Sequence, residues 1–169
     1  LTHSHERSQV ACGIYAFVLY SILMIPNKGS IILGLNRARR FYLHSKEYVF
    51  FDQMLMRRIG NIYRHWIDVD DYKEVTSDDI KSSGYVVDTL EAAIWCLITT
   101  KSYRDCVLKA VNLGDDTDTV AAVAGGLAGA LYGYDAIPKE WTEKLKRKDY
   151  IEKMCETASQ VWSNKDIQD

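Results

Sequence analysis

With 169 residues and a formal charge of −2, the chain is long enough for one ordinary domain and too short for two. It carries no charge excess that would draw it to nucleic acid or an anionic membrane. Hydrophobic residues make up 47% of it and only two residues are proline, which excludes a disordered segment; a chain this size buries roughly 70% of its unfolded surface, so it needs no staple.

The periodic signals are helical along nearly the whole length. A first helix is expected over residues 6–25, with Ser4 as its cap and Pro26 just beyond its end. Residues 31–43 and 49–66 follow with apolar side chains spaced by three and four. The stretch 68–83 is polar, holds the pairs Asp70-Asp71 and Asp78-Asp79, and reads as a surface loop. Helices return at 87–100, 103–111 and 118–132. Pro138 stands where a first turn accepts proline and opens a helix through 147, and a last helix runs over 150–162. No stretch alternates with period two, and there is no linker, repeat or low-complexity tract. The reading is one all-α domain over residues 1–169.

Cys12, Cys96, Cys106 and Cys155 contain no Cys-x-x-Cys pair and read as reduced thiols on helix faces of a cytoplasmic protein. The apolar runs 10–25 and 120–134 fall short of the ~18 residues of a spanning helix, and the first lacks a cleavage site behind it. The chain starts with Leu1 and enters an apolar helix almost at once, as a piece of something longer would. The segment 118–132 holds Gly125, Gly126 and Gly129 among alanines. Each glycine costs ~1 kcal/mol against alanine inside a helix, so close approach by neighbouring helices is expected there. That makes 118–132 the expected centre of the bundle and its most buried helix.

The densest polar constellation is Asn112-Leu-Gly-Asp-Asp-Thr-Asp-Thr119, at the entrance to that apolar helix. Asp and Thr cap helices and complement the N-terminal dipole, but one cap needs one such residue, and Asp115, Asp116 and Asp118 repel one another. A hard dication relieves that repulsion through carboxylate and hydroxyl oxygens. On a helical start Asp116 and Thr119 share a face, and Asp118 reaches in from the adjacent edge. A metal site and an elaborate cap answer this chemistry equally well; an EF-hand is excluded, since the sixth-position glycine and twelfth-position glutamate are missing. Two further segments are quieter. Leu1-Thr-His-Ser-His5 precedes the first helix and reads as solvated or capping. Gly84-Tyr-Val-Val-Asp-Thr-Leu-Glu-Ala-Ala93 is a glycine-led turn before a helix, in which Tyr85 by itself reads as a half-buried core residue.

Taken together and in this order, the three segments resemble the ADP-ribosylglycohydrolase family, relatives of the glycohydrolase that reactivates dinitrogenase reductase. The trailing Gly-Ala-Leu-Tyr-Gly (129–133) and Ile-Pro-Lys-Glu-Trp (137–141) agree, whereas 27–83 shows no clear correspondence. The resemblance implies a magnesium-dependent hydrolase with an all-helical bundle and two magnesium ions (manganese being the alternative) that cleaves ADP-ribose from a protein side chain or small molecule. It implies Asp116, Asp118 and Thr119 as metal ligands, and His3, Tyr85, Val86 and Gly114 as substrate-binding residues; none of these is the proton-transfer group. Asp115 stands where the pattern has glycine.

The resemblance extends only to the C-terminal half of the family pattern. The N-terminal half brings a Gly-rich Gly-Asp segment, an acidic residue for the attacking water and a Thr-Asp-Asp run, and none of these has a match here. The chain alone is therefore expected to be inactive. The other readings are a catalytically inactive ADP-ribose-binding or structural helical protein, and a subdomain that needs a partner chain. The first helix, apolar on every side, is expected to be covered by a second copy or by a missing upstream segment.

Overall fold

The computed structural model describes residues 4–45, 49 and 75–165, with the backbone alone for 164 and 165. His3, and the expected helix 49–66 apart from Val49, lie outside the described residues. Among the described residues all regular structure is helical: α1 (Glu6–Met24), α2 (Gly29–Tyr42), α3 (Val86–Thr99), α4 (Tyr103–Val111), α5 (Thr117–Tyr132), α6 (Lys139–Thr142) and α7 (Lys148–Lys165). Short 3-10 turns stand at Ser77–Asp79 and Tyr134–Ala136. The chain forms two compact units, residues 1–136 and 137–169.

In the first unit α1 and α2 form an antiparallel pair. Gly13, early in α1, faces Tyr42 at the end of α2, while Gly34 in mid-α2 lies against the backbone of Phe17 and Val18. A β-carbon at Gly34 would stand 2.5 Å from Val18 Cα, so glycine is what lets these two backbones meet. Val10, Ile14, Val18 and Ile22 repeat every four residues along α1 and are fully buried with Ile31, Leu35 and Ala38 of α2. At 19 residues α1 is long and apolar enough to cross a bilayer, contrary to the sequence expectation, but a third of its apolar window is packed inside this bundle. Its other side leaves Tyr20, Leu23 and Met24 more than half exposed. The cap of α1 is His5 rather than Ser4: His5 Nδ1 accepts from the Arg7 amide at 3.2 Å, and the Ser4 carbonyl instead accepts from Gln9 Nε2.

Among the described residues the most buried helix is α3, not α5. Twelve of the fourteen residues of α3 are buried, against five of sixteen in α5. Of the three glycines of α5 only Gly126 marks a close approach: a β-carbon there would stand 2.6 Å from the Tyr15 hydroxyl of α1. At Gly125 and Gly129 it would meet Tyr103 and Val107 of α4 at ordinary contact distance, 3.5 Å or more. Small residues report how near a neighbour comes, not how many sides are covered. The C-terminus of α3 is closed by a lysine from the α1–α2 connection: Lys28 Nζ donates to the carbonyls of Ile98 (2.7 Å) and Thr100. A cation at this end complements the helix dipole. Lys109 adds a second cation there, bonded to Thr99 Oγ1 at 2.7 Å and 3.6 Å above the Trp95 ring.

Cys96 and Cys106 are buried beside these lysines, and burial pushes their thiols up to about 12 and about 11. Cys12 and Cys155 are exposed. A thiol-disulfide reagent at pH 8 is therefore expected to titrate Cys12 and Cys155 readily, and Cys96 and Cys106 only after denaturation, because the thiolate is the reacting species. Rapid reaction of all four in the native protein would contradict this packing.

In the second unit the helix expected from Pro138 through 147 is a single turn. Arg147 takes a φ of 58°, which ends any helical run, and α7 begins at Lys148. Along α7, Tyr150, Met154, Val161 and Trp162 are exposed, with the Arg147 guanidinium 4.8 Å over the Tyr150 ring.

Candidate active site at the starts of three helices

The polar turn between α4 and α5 owes its path to two residues in the left-handed region, Gly114 at φ 87° and Asp115 at φ 59°. Glycine adopts this conformation without steric cost, and aspartate tolerates it better than most side chains. The glycine of the family pattern thus has a backbone reason, and Asp115 fills the same conformation. Ser82 staples the turn to the segment before α3: its hydroxyl donates to the Gly114 carbonyl at 2.7 Å, and its carbonyl accepts from the Asp116 amide at 3.0 Å.

Asp116 then occupies the N-cap of α5, yet its side chain makes no capping bond to the helix amides. Its Oδ1 accepts instead from the Thr119 hydroxyl at 2.8 Å. Its Oδ2 lies so near Gly84 that a β-carbon there would stand 2.7 Å away. Asp118 is exposed on the same first turn. The sequence predicts Asp116 and Thr119 on one face, and the structure brings them into contact. The donors are two carboxylates and a hydroxyl, a set that suits a hard dication. Among the described residues no group of three or more His, Cys, Asp or Glu side chains could hold a metal ion, so these residues do not by themselves make a closed metal site.

Opposite them, Tyr85 is the N-cap of α3 and Val86 its first residue. The Tyr85 backbone is pinned: its amide donates to Ser83 Oγ at 3.2 Å, and its carbonyl accepts from the amide and hydroxyl of Thr89. Ser83 Oγ in turn donates to the buried Asp88 carboxylate. The Tyr85 ring is 42% exposed, so it is not the half-buried core residue its local pattern suggests, and its hydroxyl accepts from Arg7 Nη1 at 3.0 Å. An apolar groove of about 240 Å³ continues from Val86 between Ala11 and Tyr15 of α1, Leu90 of α3 and Val123 of α5.

The starts of α1, α3 and α5 therefore meet, as the three sequence segments did in order. Gly114, Asp116, Asp118, Thr119, Tyr85 and Val86 all belong to this region, and His3 lies outside the described residues. Ser82, Gly84 and Arg7 were not foreseen. Gly84 stands in the quoted segment, where only a carboxylate arriving from a loop thirty residues downstream explains it. Nothing local marks Ser82 or Arg7.

Comparison with known proteins bears on the family of the chain. The family model for ADP-ribosylglycohydrolase matches residues 1–167, including the 27–83 stretch in which the motifs had no clear counterpart. The chain is 52% identical over 155 residues to ADP-ribosylarginine hydrolase Tri1 of Serratia proteamaculans, covering 92% of the chain and 37% of that protein. It is 50% identical over 90 residues to ADP-ribosylarginine hydrolase Tri1 of Pseudomonas putida, covering 53% of the chain and 24% of the relative. It is 44% identical over 68 residues to the ADP-ribosyl-(dinitrogen reductase) glycohydrolase of Rhodospirillum rubrum, covering 40% of the chain and 23% of the relative. The chain thus spans about a third of the length of these relatives or less. From the three motifs, the helical bundle that joins them and the match over nearly every residue, the chain belongs to the ADP-ribosylglycohydrolase family.

Proposed function

We propose that the protein containing this chain hydrolyses the glycosidic bond between ADP-ribose and its acceptor, with arginine the acceptor that the names of the Tri1 relatives supply. The observation that carries this reading is the N-cap of α5. Asp116 holds the position from which a carboxylate binds free helix amides, but it engages the Thr119 hydroxyl and lies against Gly84 instead. Neither contact satisfies a free helix amide, and a metal ligand likewise needs its oxygens held clear of those amides.

We assign Asp116, Asp118 and Thr119 to magnesium, with two ions in the complete protein and manganese as the alternative. When bound, the ions stabilise charge that develops at the reacting centre. The chain's own residues orient: Thr119 fixes the Asp116 carboxylate, Gly84 gives it room, Tyr85 and Val86 form the substrate wall, and Gly114 and His3 are assigned to substrate binding. The proton-transfer group is none of these.

The test is release of ADP-ribose from an arginine-ADP-ribosylated protein by the complete protein. Release is expected with magnesium, is lost on chelation and returns on adding the metal back. Release that ignores chelation would overturn the metal assignment. Tight ADP-ribose binding without release from any acceptor would identify a binding protein instead.

A further inference from the structure

Arg7 is an anomaly of placement: a cation on the first turn of α1, at the end of the helix dipole that disfavours positive charge. Its amide is taken by the His5 cap at 3.2 Å, so its backbone is fixed where the segment bearing His3 enters the helix. From there its guanidinium reaches 78 residues along the sequence to the Tyr85 hydroxyl, at 3.0 Å. The Tyr85 backbone is pinned by Ser83 and Thr89, but the residue stands 42% exposed, next in sequence to the Gly84 that meets the Asp116 carboxylate. A ring that open keeps rotational freedom unless something holds its far end.

We propose that Arg7 is a positioning residue for the substrate wall: it locks the Tyr85 ring in its substrate-receiving orientation and thereby ties the start of α1 to the start of α3. This rests on the reading of Tyr85 as a substrate-binding residue. The ring is then pre-organised, and binding need not spend affinity on ordering it. Because Arg7 acts through the Tyr85 hydroxyl, removing either end of the bond has the same consequence, and removing both adds nothing further.

The experiment is a double-mutant cycle in the complete protein, with Arg7→Gln, Tyr85→Phe and the double variant, read by calorimetric binding of free ADP-ribose and by KM and kcat. Each single variant is expected to weaken ADP-ribose binding about tenfold, the scale of a lost hydrogen bond to a charged group. The double variant is expected to match the singles, Arg7→Lys to recover part of the loss, and the loss to fall on KM rather than kcat. Additive losses would mean that Arg7 acts on the substrate independently of Tyr85, and unchanged binding in Arg7→Gln would mean that it does not act at all; either overturns the proposal. A wild-type protein that fails to bind ADP-ribose sinks the functional reading itself, and that is seen before any variant is made.

Discussion

Replacing Asp118 by alanine in the complete protein is expected to cut ADP-ribose release by roughly three orders of magnitude, because a lost ligand forfeits several kcal/mol of metal-borne stabilisation. The fold should barely notice. Asp118 is exposed on the first turn of α5, and among the described residues no hydrogen bond of its side chain holds another element. What it gives the helix is a favourable charge near the N-terminal dipole, ~0.3–1 kcal/mol, which at this size moves the melting temperature by no more than about 4 °C. The two effects differ enough for one variant to decide between a metal ligand and an elaborate cap. Turnover near wild type with magnesium limiting would return Asp118 to the cap. A collapse of stability alongside activity would show that the carboxylate is structural. Thermal melting beside the rate measurement separates these outcomes.

How much of this was legible depended on whether the cause of each feature was local. The bounds of α4 were read without error: Ser102 caps its start, accepting from the Asp105 amide at 3.0 Å, and Asn112 closes its end, so both signals lie within the helix's own neighbourhood. The contact between Asp116 and Thr119 was equally accessible, being one helical turn of geometry. The failures share the opposite property. The rank of α3 over α5 in burial depends on which helices surround it, and glycine content records only the closeness of one neighbour. The turn after Pro138 closes at Thr142, and the backbone breaks again at Arg147, whose positive φ no propensity of arginine foretells. Gly84 and Arg7 matter because of Asp116 and Tyr85, residues from distant segments, and only the fold introduces them. Tyr85 is the intermediate case. Its own surroundings suggest core packing, the family resemblance implies a substrate wall, and its exposure counts against the first.

Gly34→Ala is expected to destabilise the protein by about 3 kcal/mol, the upper range for overpacking a close contact. Taken alone, the change should help, since alanine in mid-helix is worth ~1 kcal/mol over glycine. Against that stands the backbone of α1. The new β-carbon would meet Val18 Cα at 2.5 Å, Phe17 O at 2.7 Å and Val18 N at 2.9 Å, and none of these atoms can rotate away. The helices must separate, and the separation loosens the buried rows Val10, Ile14 and Val18 on one side and Ile31, Leu35 and Ala38 on the other. Gly13→Ala in the same pair of helices supplies the contrast. Its β-carbon would also clash, but with the Tyr42 side chain and not with backbone, so relief takes a shift of one buried ring and not of a whole helix. Its cost should therefore be smaller, with part of it offset by the gain in helix propensity. Thermal melts of the two variants should place Gly34→Ala well below Gly13→Ala. If both variants melt with the wild type, the two backbones do not approach as closely as Gly34 requires, and the antiparallel pairing of α1 with α2 must be redrawn.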